Sequence, residues 1–213
     1  MKKNTPQWSA DEKKFLSRLT TPKKIQDFLD TIPYSAESVY RSPRSVLRDC
    51  KAHCFDGAVF AAAALRLIGF PPLIMDMQAV RDDDHVIAVF KKNGCWGAIA
   101  KSNFAGLRFR EPIHRTIREL VLSYFEPFYN LNREKTLRRF TQPLNLAAYD
   151  MHAWMTDDAA MDHIGEKLCV VPTTALMTPA MIRALHRVDD RAYAAGLLGA
   201  NVAGLYDPNK KDK

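Results

Sequence analysis

Residues 55–68 read FDGAVFAAAALRLI, and apart from Asp56 and Arg66 they are apolar on nearly every face of a helix. Such a helix belongs in the middle of a core rather than on a surface. Gly69 follows as a natural terminator, and Pro71-Pro72 block any continuation. Downstream the period changes. Residues 73–77 (LIMDM), 86–90 (VIAVF) and 96–100 (WGAIA) read as three short strands. The last two flank Lys92-Asn93-Gly94-Cys95, and Asn-Gly is the strongest short hairpin signal.

Upstream, Ser9-Ala10-Asp11-Glu12 has the form of a capping box, and Thr21-Pro22 and Ser42-Pro43 each place a cap before a first-turn proline. Beyond Pro112, apolar residues recur at helical spacing through Ile113, Ile117, Leu120, Val121, Tyr124 and Phe125. Residues 156–168, 178–185 and 189–198 read as further helices. Helices, a central buried helix, an antiparallel hairpin region and more helices make an α+β fold, not a doubly wound sheet. We read one domain over 1–213, with its core at 45–110 and a helical C-terminal part at 115–205.

Composition narrows the function classes. The chain has 213 residues, 47% hydrophobic and 26% charged, which excludes wholesale disorder. Its longest apolar run, 57–65, stops at Arg66 and is far too short to span a bilayer. The start, MKKNTPQW, is basic with no apolar stretch behind it, unlike a secretory signal. Four cysteines make no disulfide framework at this length, so a cytoplasmic, reducing compartment is expected. The net charge of +7 comes from lysines at both ends (Lys2, Lys3, Lys210, Lys211, Lys213) and scattered arginines. No nucleic-acid-binding motif accompanies the charge, and no Gly-rich phosphate loop is present.

The chemistry-bearing residues are Cys54 and His85. Cys54 stands at the front of the buried helix, where free N–H groups and the helix dipole favour a thiolate. The same N–H groups can stabilise an oxyanion. His85 opens a hairpin strand and can act as the thiol's base. If Asn93-Gly94 is a two-residue turn, Lys92 pairs with Cys95 and, counting back, His85 faces Ser102. One extra loop residue or a bulge brings Asn103 there instead. Either side chain can accept a hydrogen bond from the imidazole and fix its tautomer.

These residues resemble the transglutaminase-like superfamily. His53-Cys54-Phe55-Asp56-Gly57-Ala58, followed by Ala64-Leu65-Arg66-Leu67-Ile68-Gly69-Phe70-Pro71, is similar to its nucleophile helix, with Gly-x-Pro fifteen residues after the Cys. His85 begins a strand of alternating apolar residues, as the family's His does, and Trp96 matches a Trp in the next strand. No Asp follows that Trp where the family usually places its third residue; Ser102 and Asn103 occupy the neighbourhood. The resemblance covers about residues 45 to 110. It implies a papain-like core, a buried nucleophile helix on a small antiparallel sheet, and a cofactor-independent acyl-enzyme on Cys54. Its substrate would be a peptide, amide or ester, and water, an amine or a thiol would take the acyl group. The alternative is a binding module that keeps the fold without turnover and meets an acidic or protein partner.

Other features have plainer readings. Asp56 is expected either to tune the site or, as the plainer reading, to accept first-turn N–H bonds. Cys50 and Cys54 lack the second ligand pair that a zinc site needs. Asp82-Asp83-Asp84, just before His85, is either a solvated loop or, if it borders the cleft, an attractor for a cationic substrate such as a lysine side chain or polyamine.

Overall fold

The structure is a computed structural model that describes residues 8–209; the lysines near each end lie outside the described residues. The three N-terminal helices are α1 (Ala10–Leu16), α2 (Pro22–Thr31) and α3 (Pro43–Asp49). Each starts where its cap predicts, with Ser9, Thr21 and Ser42 accepting from backbone N–H groups in the first turn. The buried helix is α4 (Cys54–Leu67). It ends on Gly69 at φ +92°, where Gly69 N–H donates to Arg66 O and Phe70 N–H to Leu65 O. That paired closure needs the left-handed conformation glycine adopts without strain.

Three strands follow, β1 (Leu73–Ala79), β2 (His85–Lys92) and β3 (Cys95–Ile99). Asn93 and Gly94 both have positive φ, and Lys92 pairs with Cys95 as the two-residue turn requires. Residues 85–90 of β2 are buried on both faces, which explains an apolar run with little alternation. Ile74, Val86, Ala88 and Phe90 pack with α4 in one core cluster. Met75, Met77, Ile87 and Val89 form a second cluster with Leu120, Tyr124 and Phe128. Ala61, Ala62, Ala63 and Ala64 of α4 are all buried. Small side chains there let the helix approach its neighbours closely, while the buried Phe60 contributes roughly 1.5–3 kcal/mol of apolar transfer.

The C-terminal half differs from its helical expectation. It contributes β4 (Arg110–His114), β5 (Leu137–Thr141), β6 (Leu144–Asn145) and β7 (Thr173–Ala175). The sheet is therefore seven-stranded and antiparallel, in the order β4-β3-β2-β1-β5-β7, with β6 also paired to β1. Pro112 hides β4 from a sequence reading, because proline is tolerated only at an edge or bulge. Ile113 belongs to this strand, 71% exposed, and not to the helix expected there. That helix shortens to α5 (Ile117–Leu122), started by the Thr116 cap. The remaining helices are α6 (Ala159–Cys169), α7 (Pro179–Arg183) and α8 (Asp190–Gly196). No helix among the described residues is long and apolar enough to cross a membrane.

Candidate functional site

Asp56 sets the start of α4. It is fully buried and accepts from Arg41 N–H (2.8 Å) and His53 N–H (3.3 Å). The Arg41 guanidinium lies 3.5 Å from its other oxygen and also bonds Asp49 and Glu37. Burial pushes the Asp56 carboxyl up to about 6 even though the backbone N–H bonds and Arg41 pull it down. Thus tied, the segment before α4 delivers Cys54 at the first helical position. Gly57, three residues on, faces the chain at Lys101; a Cβ there would come within 2.3 Å of the Lys101 Cβ.

The Cys54 sulfur rests against the main chain on either side of His85. Its thiol donates to Asp84 O at 3.8 Å, and the N–H of Val86 points at it. Burial pushes this thiol up to about 12, the Val86 N–H opposes the rise, and the charges of Asp83 and Asp76 add to it. The helix start does not outweigh burial, so the resting side chain is a thiol and not the expected thiolate.

His85 is buried and Cys54 partly so. The His85 Nε2 lies 2.8 Å from Leu107 O, in the 3-10 turn Ala105–Leu107. A carbonyl oxygen can only accept, so Nε2 carries the proton and, in the neutral ring, Nδ1 carries the lone pair. Burial pushes the imidazole down to about 4, against the pull of the Leu107 bond. Tyr124 and Phe128 pack edge-on against the ring. Cys54, His85, Ser102, Asn103 and Leu107 share the walls of one tight space of about 40 Å³. No hydrogen bond joins the Cys54 sulfur to the His85 ring among the described contacts.

Ser102 and Asn103 reach this space but do not bond His85. The β2–β3 ladder follows ideal register only as far as Ala88 opposite Ile99. At the next residue, Gln26 of α2 takes both backbone groups of Ala100, at 3.0 and 2.9 Å, and peels the strand away. Lys101 then turns inward and donates to Leu29 O and Ile32 O at the end of α2. The Ser102 hydroxyl accepts from Phe104 N–H, and Asn103 bonds Asn201. Leu107, a backbone acceptor invisible to side-chain motif reading, holds the position expected of those two residues.

A wider cleft of about 580 Å³ opens beside Cys54, lined among others by Tyr34, Tyr40, Asp76, Asp84 and Tyr206. Tyr34 and Cys54 line the cleft together, the Cys54 amide and thiol both act on the Tyr34 hydroxyl, and burial pushes its pKa up. The 82–84 loop does border the cleft. Asp82 accepts from Thr136 Oγ1 (2.6 Å) and Asp84 from Ala79 N–H (2.7 Å), and burial raises both carboxyls. Asp76 and Tyr34 were not singled out from the sequence. Asp76 had a signal, a lone charge inside the apolar strand LIMDM; Tyr34 had none. Among the described residues, no group of three or more His, Cys, Asp or Glu side chains is arranged to hold a metal ion. No protein-family model and no curated protein matches the chain.

Proposed function

We propose that the protein is a cysteine-dependent acyl-transfer or hydrolytic enzyme of papain-like, transglutaminase-like type, acting on an amide or ester through Cys54. The observation that carries this reading is the placement of Cys54 and His85 on one tight space, with Leu107 O fixing the ring proton on Nε2. The Nδ1 lone pair is then available to take the thiol proton as sulfur bonds the substrate carbonyl carbon. The tetrahedral oxyanion would meet the Cys54 N–H and the Tyr34 hydroxyl. Collapse passes the proton from His85 to the leaving amine or alcohol and leaves a thioester on Cys54. An acceptor (water, an amine or a thiol) then gives its proton to His85, takes the acyl group and restores the thiol.

Because both resting groups are neutral, His85 works as a general base during attack and not as a preformed imidazolium partner. The competing reading, a binding module without turnover, draws support from the raised thiol and from the tightness of the space around His85. Treatment with a panel of activated esters, followed by mass spectrometry, separates the two. Selective acylation of Cys54, lost in His85→Ala, is the expected result. Equal modification of Cys50, Cys54, Cys95 and Cys169 would favour the binding module.

A further inference from the structure

Asp76 occupies an unusual position in the wide cleft. It is only 6% exposed, it lines the cleft, and its Oδ1 has no hydrogen-bond partner. Its remaining polar contacts come from the Gln78 side chain and the Met77 N–H. A buried carboxylate oxygen left without a donor is costly and marks a place where a ligand donor is missing. Asp76 lies directly across the β1–β2 ladder from Val86, whose N–H favours the thiolate of Cys54. The unpartnered oxygen and the nucleophile therefore open onto the same cleft.

The rest of the lining has one sign. Glu37, Asp76, Asp83 and Asp84 contribute four carboxyl groups, and among the described residues neither lysine nor arginine lines the cleft. In a chain of net charge +7 this is a local reversal. Glu37 is already held by Arg41 and Lys51, and Asp84 Oδ1 by Ala79 N–H, whereas Asp76 Oδ1 is a buried acceptor of the described lining that has no donor. The rings of Tyr34, Tyr40, Phe55 and Tyr206 add π faces that attract cations.

We propose that Asp76 is the recognition point for a compact organic cation with N–H donors, an alkylammonium or a guanidinium group, carried by the molecule on which Cys54 acts. The word substrate rests on the acyl-transfer reading; the binding itself does not. The cation would give Asp76 Oδ1 its missing donor and offset the carboxylate charges of Asp83 and Asp76, which add to burial in keeping the Cys54 thiol protonated. A neutral ligand of the same shape can do neither.

The test is calorimetric titration of the full chain with n-butylammonium, n-butylguanidinium and the neutral isostere n-butanol. Wild type, Cys54→Ser and Asp76→Asn are compared. At least one cation is expected to bind wild type and Cys54→Ser alike, about tenfold or more tighter than butanol, and to lose that advantage in Asp76→Asn. The tighter of the two cations identifies which donor group the site prefers. Cation and butanol binding equally, or neither binding, would overturn the proposal, as would a cation preference that survives in Asp76→Asn. Should Asp76→Asn fail to fold, a crystal of the wild-type protein soaked in n-butylammonium decides. A nitrogen at hydrogen-bond distance from Asp76 Oδ1 is expected, and a cation bound elsewhere, or none, would refute it. Binding retained in Cys54→Ser while the ester panel leaves Cys54 untouched would sink the enzyme reading and keep this one.

Discussion

Asn103 and Asn201 exchange two hydrogen bonds. Asn103 Nδ2 donates to Asn201 O at 2.8 Å, and Asn201 N–H donates to Asn103 Oδ1 at 2.7 Å. Asn201 Nδ2 also donates to Tyr34 O, and Gly204 packs against the Tyr34 ring so closely that a Cβ would come within 2.9 Å of it. Residues 201–206 thereby cross the mouth of the site, and Gly204 and Tyr206 line both of its spaces. The side chain best suited by chemistry to orient His85 is spent on tethering this segment.

Asn103→Ala and Asn201→Ala are therefore expected to loosen the tether. Asn201→Ala removes the side-chain bonds to Tyr34 O and from Ala203 N–H but spares the Asn103 pair, which uses the Asn201 main chain, so its effect on the tether to Asn103 should be the smaller. Asn103→Ala should raise the rate at which small esters acylate Cys54, by about threefold or more, since it breaks two bonds of roughly 1 kcal/mol each. Ser102→Ala should be nearly silent. A hundredfold loss of acylation in Asn103→Ala would instead show that Asn103 orients His85 during turnover.

The ionisation of the pair makes a second expectation. Burial holds the Cys54 thiol up near 12 and the His85 imidazole down near 4, so both stay neutral across the intervening range. Iodoacetamide at pH 8 should modify the exposed Cys50 and Cys169 before Cys54. His85→Ala should leave the alkylation profile of Cys54 in place while abolishing ester acylation, because His85 acts only as attack occurs. Preferential labelling of Cys54 well below pH 8, lost in His85→Ala, would reveal a thiolate–imidazolium pair and defeat the burial argument.

What was legible in the sequence was local. The α4 run, its Gly69 stop, the Asn93-Gly94 turn and the three cap residues each rest on interactions within a few residues, and each stands as read. What failed was non-local. The register beyond Ile99 is broken by Gln26, 74 residues before Ala100, and β5 exists because β1 offers it an edge, as β5 in turn does for β7. In β5, LRRFT, the two arginines obscure the alternation that marks a strand. Leu107 entered the site through its carbonyl, which any residue type possesses.

Gly57 gives a stability prediction. Its missing Cβ leaves room for the Cβ of Lys101, an atom fixed to the backbone that cannot rotate aside. Gly57→Ala gains helix propensity, ~1 kcal/mol, but forces α4 and the 100–101 segment apart, and overpacking of this kind costs about 1–3 kcal/mol. Urea denaturation should show net destabilisation despite the better helix former. Displacement of Lys101 from Leu29 O and Ile32 O should also expose the end of α2 to faster amide exchange. A more stable Gly57→Ala would mean that Lys101 yields without loss.

Asp76 should make the protein less stable than it could be. Burial raises its carboxyl to about 7, from roughly 3.9 in an unfolded chain. Between these values the folded state holds the proton more tightly than the unfolded state does. Stability contributed by the protonated form is therefore lost as pH rises from about 4 through 7, and above 7 the buried charge weighs fully against folding. Asp76→Asn cannot ionise. It should be more stable than wild type at pH 8, by ~2–4 kcal/mol, and nearly equal to it at pH 4. Thermal unfolding of both proteins across that range measures the difference directly. A buried charge retained at such a cost is the pattern of a site kept for binding rather than for folding. A constant difference between pH 4 and pH 8 would show that Asp76 does not ionise in this window, and an Asp76→Asn that is less stable at pH 8 would show that its charge already has a partner.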